Sequence, residues 1–320
     1  MSNYLKKNKV LTNVYYQKSL GEPGIGGMLA PLVKSDQLSG DFYRVDRSKS
    51  DKSPDVTLVR APGSAGQRQE RKGRSIDNFR CVDHVLTEEI PFELLEGTQE
   101  FQVIEEQMQT ASDIVTAIKT AHEREVHDIA WAANLGAFKS LLGGGHTPTV
   151  KWDAAGAAIK ADLLTAKDAV YKKTGKRANT VVMSTEVFNK ISTQDNEIRD
   201  VIKYTQNGMV TLEKLASYLE VETCIVPYFL ADTTPGVSEE KDFLWQGDHC
   251  GVYYVDKSSQ SRQKITFATT FYYDTMKRRW MQVYTGYSEE TESEEVKVSA
   301  FWDLKVIDKE CGYGIADVLA

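Results

Sequence analysis

The chain has 320 residues, 41% hydrophobic and 27% charged, a globular composition that excludes wholesale disorder. No uncharged apolar run reaches the roughly 18 to 20 residues that a membrane span needs, and the first 20 residues hold no apolar stretch typical of a secretory signal. The net charge of −7 is uneven, since residues 1–80 contain 15 Lys and Arg against 8 Asp and Glu, whereas residues 81–320 contain 24 against 38. This pattern indicates either a solvated basic tail on an acidic domain or segments that attract each other, within one chain or between copies.

Residues 1–97 differ in composition from the rest, because they hold five of the eight prolines and nine of the 22 glycines. The glycine-rich stretch at 21–27 fits neither a helix nor a regular strand. Val56–Arg60 and Ser75–Leu86 are predicted as the two strands of a long hairpin with a basic tip. Since the region has little apolar periodicity, we expect it to have no core of its own and to be either disordered or ordered against another surface.

The basic tip is the one charge feature that predicts a binding surface. Arginine can bind phosphate or carboxylate through two hydrogen bonds, but a nucleic-acid groove usually interleaves aromatic residues, and only Phe79 is near. Carboxylates on a neighbouring subunit are therefore the favoured target. The candidate basic residues are Arg60, Arg68, Arg71, Lys72, Arg74 and Arg80. The candidate acidic residues are Glu289, Glu290, Glu292, Glu294 and Glu295.

The strongest local signal is a helix, because no Gly or Pro occurs from Thr98 to Asn134. Its apolar residues recur every three or four positions and predict one buried face, as in a spine helix lying across a sheet. They are Phe101, Ile104, Met108, Ala111, Val115 and Ile118. A coiled coil is the competing interpretation, but the stripe ends where His122 and Glu125 take the next positions.

Beyond Trp152 the pattern predicts a compact mixture of helices and strands. A helix with apolar residues from Ile159 to Val170 ends at Gly175, and Val181–Met183 forms a short buried strand. A later helix capped by Thr211 precedes the strand Cys224–Phe229. Alternating residues then predict three further strands, at 265–273, 281–287 and 296–307.

No motif predicts catalysis, a cofactor or a metal. His122 and His127 resemble a zinc-protease helix, but they are five residues apart and lie roughly 140° apart around a helix, so we expect polar groups on an exposed face. The glycines at 21–27 lack the context of both phosphate-binding loops. The four cysteines are far apart and are interpreted as reduced structural thiols. We therefore predict that the chain is not an enzyme.

The order of elements resembles tailed-bacteriophage major capsid proteins of the Hong Kong 97-like fold. That order is an extended arm, a long basic hairpin, a spine helix, a compact α/β lobe and a closing β-rich stretch. The most specific resemblance lies within Arg177–Tyr273, where Val181–Phe188 reads as strand, polar turn and helix. Leu219–Pro227 resembles a short helix followed by a strand ending in Val-Pro, and Phe243–Tyr254 resembles a strand, turn and strand.

The resemblance implies an α+β capsid fold and a subunit that assembles into hexamers and pentamers of an icosahedral head enclosing double-stranded DNA. It also implies that the N-terminal region packs across neighbouring copies. The protein would be located in the virion and, during assembly, in the host cytoplasm. The implied domains are an N-terminal arm at 1–40, an extended hairpin loop at 41–90, a peripheral domain with the spine helix at 91–150 and 265–320, and an axial domain at 151–264.

Two departures from the family sharpen the expectation. Only about 40 residues precede the hairpin, which favours a separate scaffolding protein over a cleaved N-terminal segment. Some members link a hairpin lysine covalently to an asparagine in the peripheral domain of the next subunit. Lys72 is a candidate donor here, but the last asparagine of the chain is Asn207, so residues 265–320 of the predicted peripheral domain contain no acceptor. We therefore expect a non-covalent shell, with a portal protein, a possible cementing or decoration protein, and non-specific contact with packaged DNA as further partners.

Two alternatives stay open. The same fold would serve an encapsulin-like bacterial compartment that packs enzyme cargo. A nucleic-acid-binding protein or nuclease using the basic loop 60–80 would instead bind in a strongly salt-dependent way.

Overall fold

The computed structural model describes residues 5–21, 24–45, 62–63, 74–95, 100–154, 156–193, 198, 210–231, 242–258, 265–289 and 291–320. Within these ranges the helices are α1 (Lys9–Gly21), α2 (Ile25–Leu29), α3 (Phe92–Leu95), α4 (Glu100–Ala130), α5 (Leu135–Leu141), α6 (Ile159–Thr174), α7 (Thr185–Thr193) and α8 (Leu212–Tyr218). No helix among them is long and apolar enough to cross a membrane.

The strands of the described residues form two main sheets and two small strand pairs. They are β1 (Lys6–Lys7), β2 (Leu32–Ser35), β3 (Ser39–Val45), β4 (Arg74–Arg80), β5 (Val82–Pro91), β6 (Gly145–His146), β7 (Thr180–Met183), β8 (Thr223–Ile225), β9 (Leu230–Ala231), β10 (Asp242–Phe243), β11 (Cys250–Tyr253), β12 (Ala268–Tyr273), β13 (Met281–Ser288), β14 (Ser293–Val306) and β15 (Gly312–Ile315).

The larger sheet has six strands and is built around β14. Its order is β1-β13-β14-β12-β2, and β5 also pairs with β14. The pairing with β13 covers residues 293–300, that with β5 covers 293–302 and that with β12 covers 302–306, so all fourteen residues of β14 lie in a ladder. The three strands predicted at 265–273, 281–287 and 296–307 correspond to β12, β13 and β14.

The predicted spine helix is present as α4, which at 1.5 Å per residue is about 46 Å long. Ala111, Val115 and Ile118 of its apolar stripe are buried, and they pack on the six-stranded sheet with Met281 and Val296. This packing is that of a helix on a sheet, as the sequence indicates, and not that of a coiled coil. The first part of the stripe is open, since Ile104 and Met108 are exposed.

The expectation of an exposed polar face at His122–His127 is wrong for Glu123. Its side chain is 2% exposed because it faces the N-terminal segment and accepts the backbone N–H of Gly26. His122 is half-buried, and its Nε2 lies 3.0 Å from Oγ1 of Thr270 on β12. The buried part of α4 thus continues past Ile118 and includes polar contacts, which hydrophobic periodicity cannot detect.

The smaller sheet has five strands in the order β6-β15-β11-β7-β8. All four residues of β7 and all four of β11 are buried, because the two faces of these strands lie in two apolar cores. Val181 and Val252 pack in a core with α6, α7 and α8, whereas Val182 and Tyr253 pack in a core with α4 and α5. Two of its strands, β6 and β15, belong to ranges that the predicted boundaries assign to the peripheral domain. Strand β15 bonds to β11 and β6 bonds to β15, so both strands share a sheet with strands of the range 151–264.

The described N-terminal residues show one of the two outcomes expected for residues 1–97, because they are ordered against the surface of the rest of the same chain. Leu11 and Tyr15 of α1 are 5% exposed in the core formed by α4 and β13, and Leu29 is fully buried. Strand β1 pairs with β13, and β2 pairs with β12 in parallel. These contacts lie within one chain, so the described N-terminal residues pack without a neighbouring copy.

The returning strand of the predicted hairpin is confirmed, and the described strand that pairs with it is β3. The predicted strand Ser75–Leu86 is present as β4 and the start of β5, separated at Cys81. Strand β4 pairs with β3, whereas the predicted outgoing strand Val56–Arg60 lies outside the described residues. Phe42 and Phe79, both 1% exposed, fix this pair to the sheet against Phe271, with the rings of Phe79 and Phe271 stacked at 4.3 Å.

Candidate intersubunit surfaces

Among the basic residues predicted for the hairpin tip, Arg80 has a side chain that the structure describes. Arg60, Arg68, Arg71 and Lys72 lie outside the described residues, and of Arg74 only the backbone is described. Arg80 ends β4 with an exposed side chain, and its backbone N–H donates to Asp303 Oδ2 at 2.7 Å. The pairing of the basic tip with carboxylates of another copy therefore stays a prediction.

The predicted acidic residues divide into exposed and engaged groups at the β13–β14 turn. Glu289 and Glu292 are exposed, and Glu292 has a left-handed backbone with φ 45°. Glu294 and Glu295 are half-buried on β14, where Glu294 accepts a hydrogen bond from Gln107 of α4. Glu290 lies outside the described residues. Glu289 and Glu292 are thus the two described carboxylates of this turn that are most accessible to a partner.

Strand β5 forms an open edge of the six-stranded sheet. Among the described residues it pairs only with β14. It exposes Val82, Val85 and Leu86 by 42 to 55%, and the exposed Glu88 and Glu89 follow. A ten-residue edge strand with exposed apolar side chains is a template for pairing or packing with another chain. Sequence reasoning missed this edge because it interpreted the segment as half of a hairpin.

A second basic surface lies beside the start of β13. Lys7, Lys277 and Arg278 line an open depression of about 740 Å³ together with Tyr273, Thr275, Met276, Gln282 and Tyr284. Burial lowers the pKa of Lys7, and the nearby positive charges of Arg279 and Lys9, followed by Arg278, lower it further. Repulsion among these cations makes the depression a favourable place for an anionic group.

One carboxylate of the same chain already contacts this surface. Arg278 Nη2 lies 3.6 Å from Asp83 Oδ2, and its guanidinium stacks 4.1 Å above the Phe301 ring. Lys7, Lys9 and Lys277 are exposed. Sequence reasoning could not find this surface, because residues 7–9 and 277–279 are far apart in the chain and meet only when β1 pairs with β13.

The acidic turn and the second basic surface lie at opposite ends of β13. This strand has eight residues, which at 3.3 Å per residue separate its ends by about 26 Å. Charges of opposite sign at the two ends of one element can meet between two copies in a head-to-tail contact. Contacts of that kind form rings where the rotation between copies closes, and open filaments where it does not.

The described residues also contain a group of possible metal ligands, Asp248, His249 and Asp317. The buried His249 uses both ring nitrogens within the chain, since Nδ1 accepts the N–H of Asp317 at 3.2 Å and Nε2 lies 3.1 Å from the carbonyl oxygen of Ala133. These two hydrogen bonds attach the C-terminal segment around Asp317, through His249, to the residues that follow α4. The group carries no metal assignment.

The four cysteines are buried, and none forms a disulfide. Burial is the main cause that raises the pKa of Cys81 to about 11 and that of Cys224 to about 12. Neither thiol is activated as a nucleophile at neutral pH.

The chain is similar to phage proteins over nearly its whole length. It is 25% identical over 319 residues to the major capsid protein of Burkholderia phage BcepMu, covering 97% of this chain and 95% of that one. It superposes on a phage-related protein of Bordetella bronchiseptica RB50 with a TM-score of 0.69 and 18% identity, covering 99% and 98% of the two chains. No protein-family model matches the chain.

Two more distant structures have the same fold. The capsid of cyanophage P-SCSP1u gives a TM-score of 0.51 at 12% identity, covering 91% of this chain and 87% of that one. A virus-like particle from Pyrococcus furiosus gives 0.50 at 9%, covering 96% and 98%. The predicted resemblance to tailed-phage major capsid proteins is confirmed, as is an α+β capsid fold.

Proposed function

From this similarity to a phage major capsid protein, we propose that the chain is the major subunit of a bacteriophage head. Many copies form hexamers and pentamers of an icosahedral shell that encloses double-stranded DNA. The observation that carries the proposal is the match to the BcepMu major capsid protein over 97% of the chain. A shell subunit needs surfaces for its own copies and no reaction centre, and we propose no catalytic role and no cofactor.

We propose the Hong Kong 97-like arrangement for the subunit, with the arm at 1–40, the hairpin loop at 41–90, the peripheral domain at 91–150 and 265–320, and the axial domain at 151–264. The exceptions are β6 and β15, which pair within the axial sheet. The six-stranded sheet supports this arrangement through its open edge, and α4 supports it through its exposed first turns. Both features give a neighbouring copy apolar area to cover.

The proposed contacts between copies are largely electrostatic. The acidic turn with Glu289 and Glu292 would face a basic surface of the next copy, either the hairpin tip at 60–80 or the depression lined by Lys7 and Lys277. Exposed ion pairs are individually weak, but repetition around a ring adds many of them. The shell would be non-covalent.

The remaining partners follow from the role. A separate scaffolding protein, a portal protein and a cementing or decoration protein would act during assembly in the host cytoplasm, and the finished virion would contain the subunit. Contact with the packaged DNA would be non-specific, since a chain with a net charge of −7 has no overall attraction for phosphate.

The test is to express the full chain, alone and with the scaffolding protein encoded beside it, and to examine the products by electron microscopy and sedimentation. We expect closed shells or ring-shaped capsomers. A stable monomer in the presence of scaffolding protein would contradict the proposal.

The second candidate function is a compartment shell that packs enzyme cargo. A fold match to a virus-like particle whose named source, Pyrococcus furiosus, is not a phage supports considering a shell outside phages. Purified shells distinguish the two functions by their contents. A phage head contains DNA, whereas a compartment contains a co-purifying enzyme.

A further inference from the structure

Two sequence motifs without an assigned chemistry meet in the structure. The glycine-rich stretch supplies Gly26 at the start of α2, and the His122–His127 segment of α4 supplies Glu123. Both carboxylate oxygens of Glu123 accept the Gly26 N–H, at 2.9 and 2.8 Å. The contact attaches the N-terminal segment to the helix across 97 positions of sequence.

Gly24 and Gly26 allow the backbone of the N-terminal segment to come close to the Glu123 side chain. A Cβ at residue 24 would lie 1.8 Å from Glu123 Oε1, and a Cβ at residue 26 would lie 3.0 Å from Val126 and 3.1 Å from the carboxylate. The following Leu29 and Ala30 are fully buried in a core that also contains Val126. Residues 24–30, which we call the docking segment, are thus held by apolar contacts and one carboxyl group.

The carboxyl group of Glu123 is in an unfavourable place for a charge. Its side chain is 2% exposed, and burial raises its pKa to about 7, against a smaller lowering by the Gly26 N–H. A buried carboxylate with so few hydrogen bonds is costly, whereas the neutral acid keeps a carbonyl oxygen that accepts the same N–H.

The charged and titratable groups around Glu123 lie on α4 and β5. On α4, Lys119 lines the same cavity, while burial lowers the pKa of His122 to about 4, so this ring is neutral at pH 7. From β5, His84 stacks on Trp302 and lies 3.5 Å from Glu125, a carboxylate that also accepts the Trp302 N–H. The docking segment itself carries no titratable side chain. The pKa of Glu123 is set by burial and the Gly26 amide.

A cavity beside Glu123 gives the ionised group a route to water. Its volume is about 140 Å³, which is enough for a few water molecules. Its walls are mostly apolar and join the docking segment, α4 and the sheet; they include Gly24, Gly27, Leu32, Ile118, Trp280 and Trp302.

We propose that Glu123 is a proton-dependent latch that holds the docking segment against α4. The neutral acid accepts the Gly26 N–H and leaves the cavity dry, whereas the ionised carboxylate draws water into the cavity and weakens the attachment. The latch is a property of the single chain. Only its consequence rests on the proposed function, namely that a released segment becomes available to a neighbouring subunit.

The sign of the pH dependence follows from linkage. The carboxyl group binds its proton more tightly in the docked state than in the released state, where its pKa is the ordinary 4.5. Docking is therefore strongest below pH 4.5, weakens as the pH rises to about 7 and is weakest above it.

Hydrogen–deuterium exchange of peptides covering residues 24–35 tests the latch in the full-length chain between pH 5 and 9, after correction for intrinsic exchange rates. We expect protection of this segment to fall about tenfold or more as the pH rises from 5 to 7 and to level off above pH 7, within the range that such a pKa difference permits. Peptides from α6 give the reference, because no titrating group of this kind holds them.

The Glu123→Gln variant keeps an oxygen for the Gly26 N–H and cannot ionise, so its protection is expected to be independent of pH. The matched control is Glu106→Gln, which changes an exposed carboxylate of the same helix and is expected to behave as the unmodified chain. Constant protection in the unmodified chain, or the same loss in both variants, would overturn the latch.

The fluorescence of Trp280 and Trp302, which line the cavity, gives a second readout that needs no variant and so remains useful if Glu123→Gln folds poorly. In the unmodified chain we expect the emission to shift to the red as the pH rises through 7. An unchanged emission would contradict the latch. Shell formation is scored separately by electron microscopy. Shells without a pH-dependent segment would reject the latch and leave the proposed function intact.

Discussion

The two main sheets of this protein are completed in different ways. The five-stranded sheet is covered by helices of its own chain, and β7 and β11 have no exposed residue. The six-stranded sheet is covered by α4 on one part of its surface, yet its strand β5 exposes eight of ten residues. The comparison indicates that the first sheet stabilises the subunit alone, whereas the second also offers surface to other copies.

The strongest way to break this comparison is to place the same charge in both sheets. Val252→Asp, at a fully buried position of β11, is expected to lower the free energy of unfolding by at least about 4 kcal/mol, because it buries an unpaired carboxylate. Val85→Asp, at a 42%-exposed position of β5, is expected to change it by less than about 0.5 kcal/mol. Urea denaturation measures both, and similar losses would refute the distinction.

The hairpin pair β3–β4 is attached to the six-stranded sheet by aromatic residues. Phe79→Ala removes a ring that is 1% exposed and stacked on Phe271, and we expect a loss of about 4 kcal/mol in the free energy of unfolding. Ile76→Ala on the same strand is the control, since Ile76 is 64% exposed and its loss is expected to be below about 0.5 kcal/mol. Thermal unfolding compares the two, and equal midpoints would show that the pair is not anchored.

The docking segment belongs to the subunit's own core. Leu29→Ala is expected to cost about 3 kcal/mol of unfolding free energy, because it leaves a cavity against Val126 and Ala130. Met28→Ala changes a 42%-exposed neighbour and is expected to have little effect. Were Leu29→Ala as stable as Met28→Ala in urea, the segment would not be docked in the free chain.

The smallest effects on the subunit are expected at the charged ends of β13. Glu292→Lys or Lys277→Glu is expected to change unfolding free energy by less than about 0.5 kcal/mol, because both side chains are exposed. Each is expected to reduce assembly, measured by sedimentation at low and high salt, and the double variant is expected to restore part of it. Lys172→Glu on α6 is the control, and if it reduces assembly equally, only net charge matters.

Periodicity in the sequence was sufficient for elements whose burial is apolar. The spacing from Ala111 to Ile118 predicted α4 and its buried face, and the alternation around Phe271 and Val283 predicted strands β12 and β13. The resemblance to capsid proteins depended on the order of such elements along the chain. These features are local, so a single sequence contains them.

Contacts between distant segments could not be predicted in this way. The attachment of Gly26 to Glu123 joins the short helix α2 to a polar position of α4, and neither residue type signals burial. The basic depression joins Lys7 to Lys277 only through the pairing of β1 with β13. Polar burial and surface charge depend on which strands become neighbours, which a single sequence does not state.

The length of β14 has a mechanical consequence. Its fourteen residues are bonded to β13, β5 and β12 in antiparallel ladders, so a pull along this strand loads many backbone bonds in shear at once. Bonds stressed in parallel yield together, at a higher force than bonds opened one after another. A wall tiled with such subunits resists stretching along the direction of this strand more than bending across it.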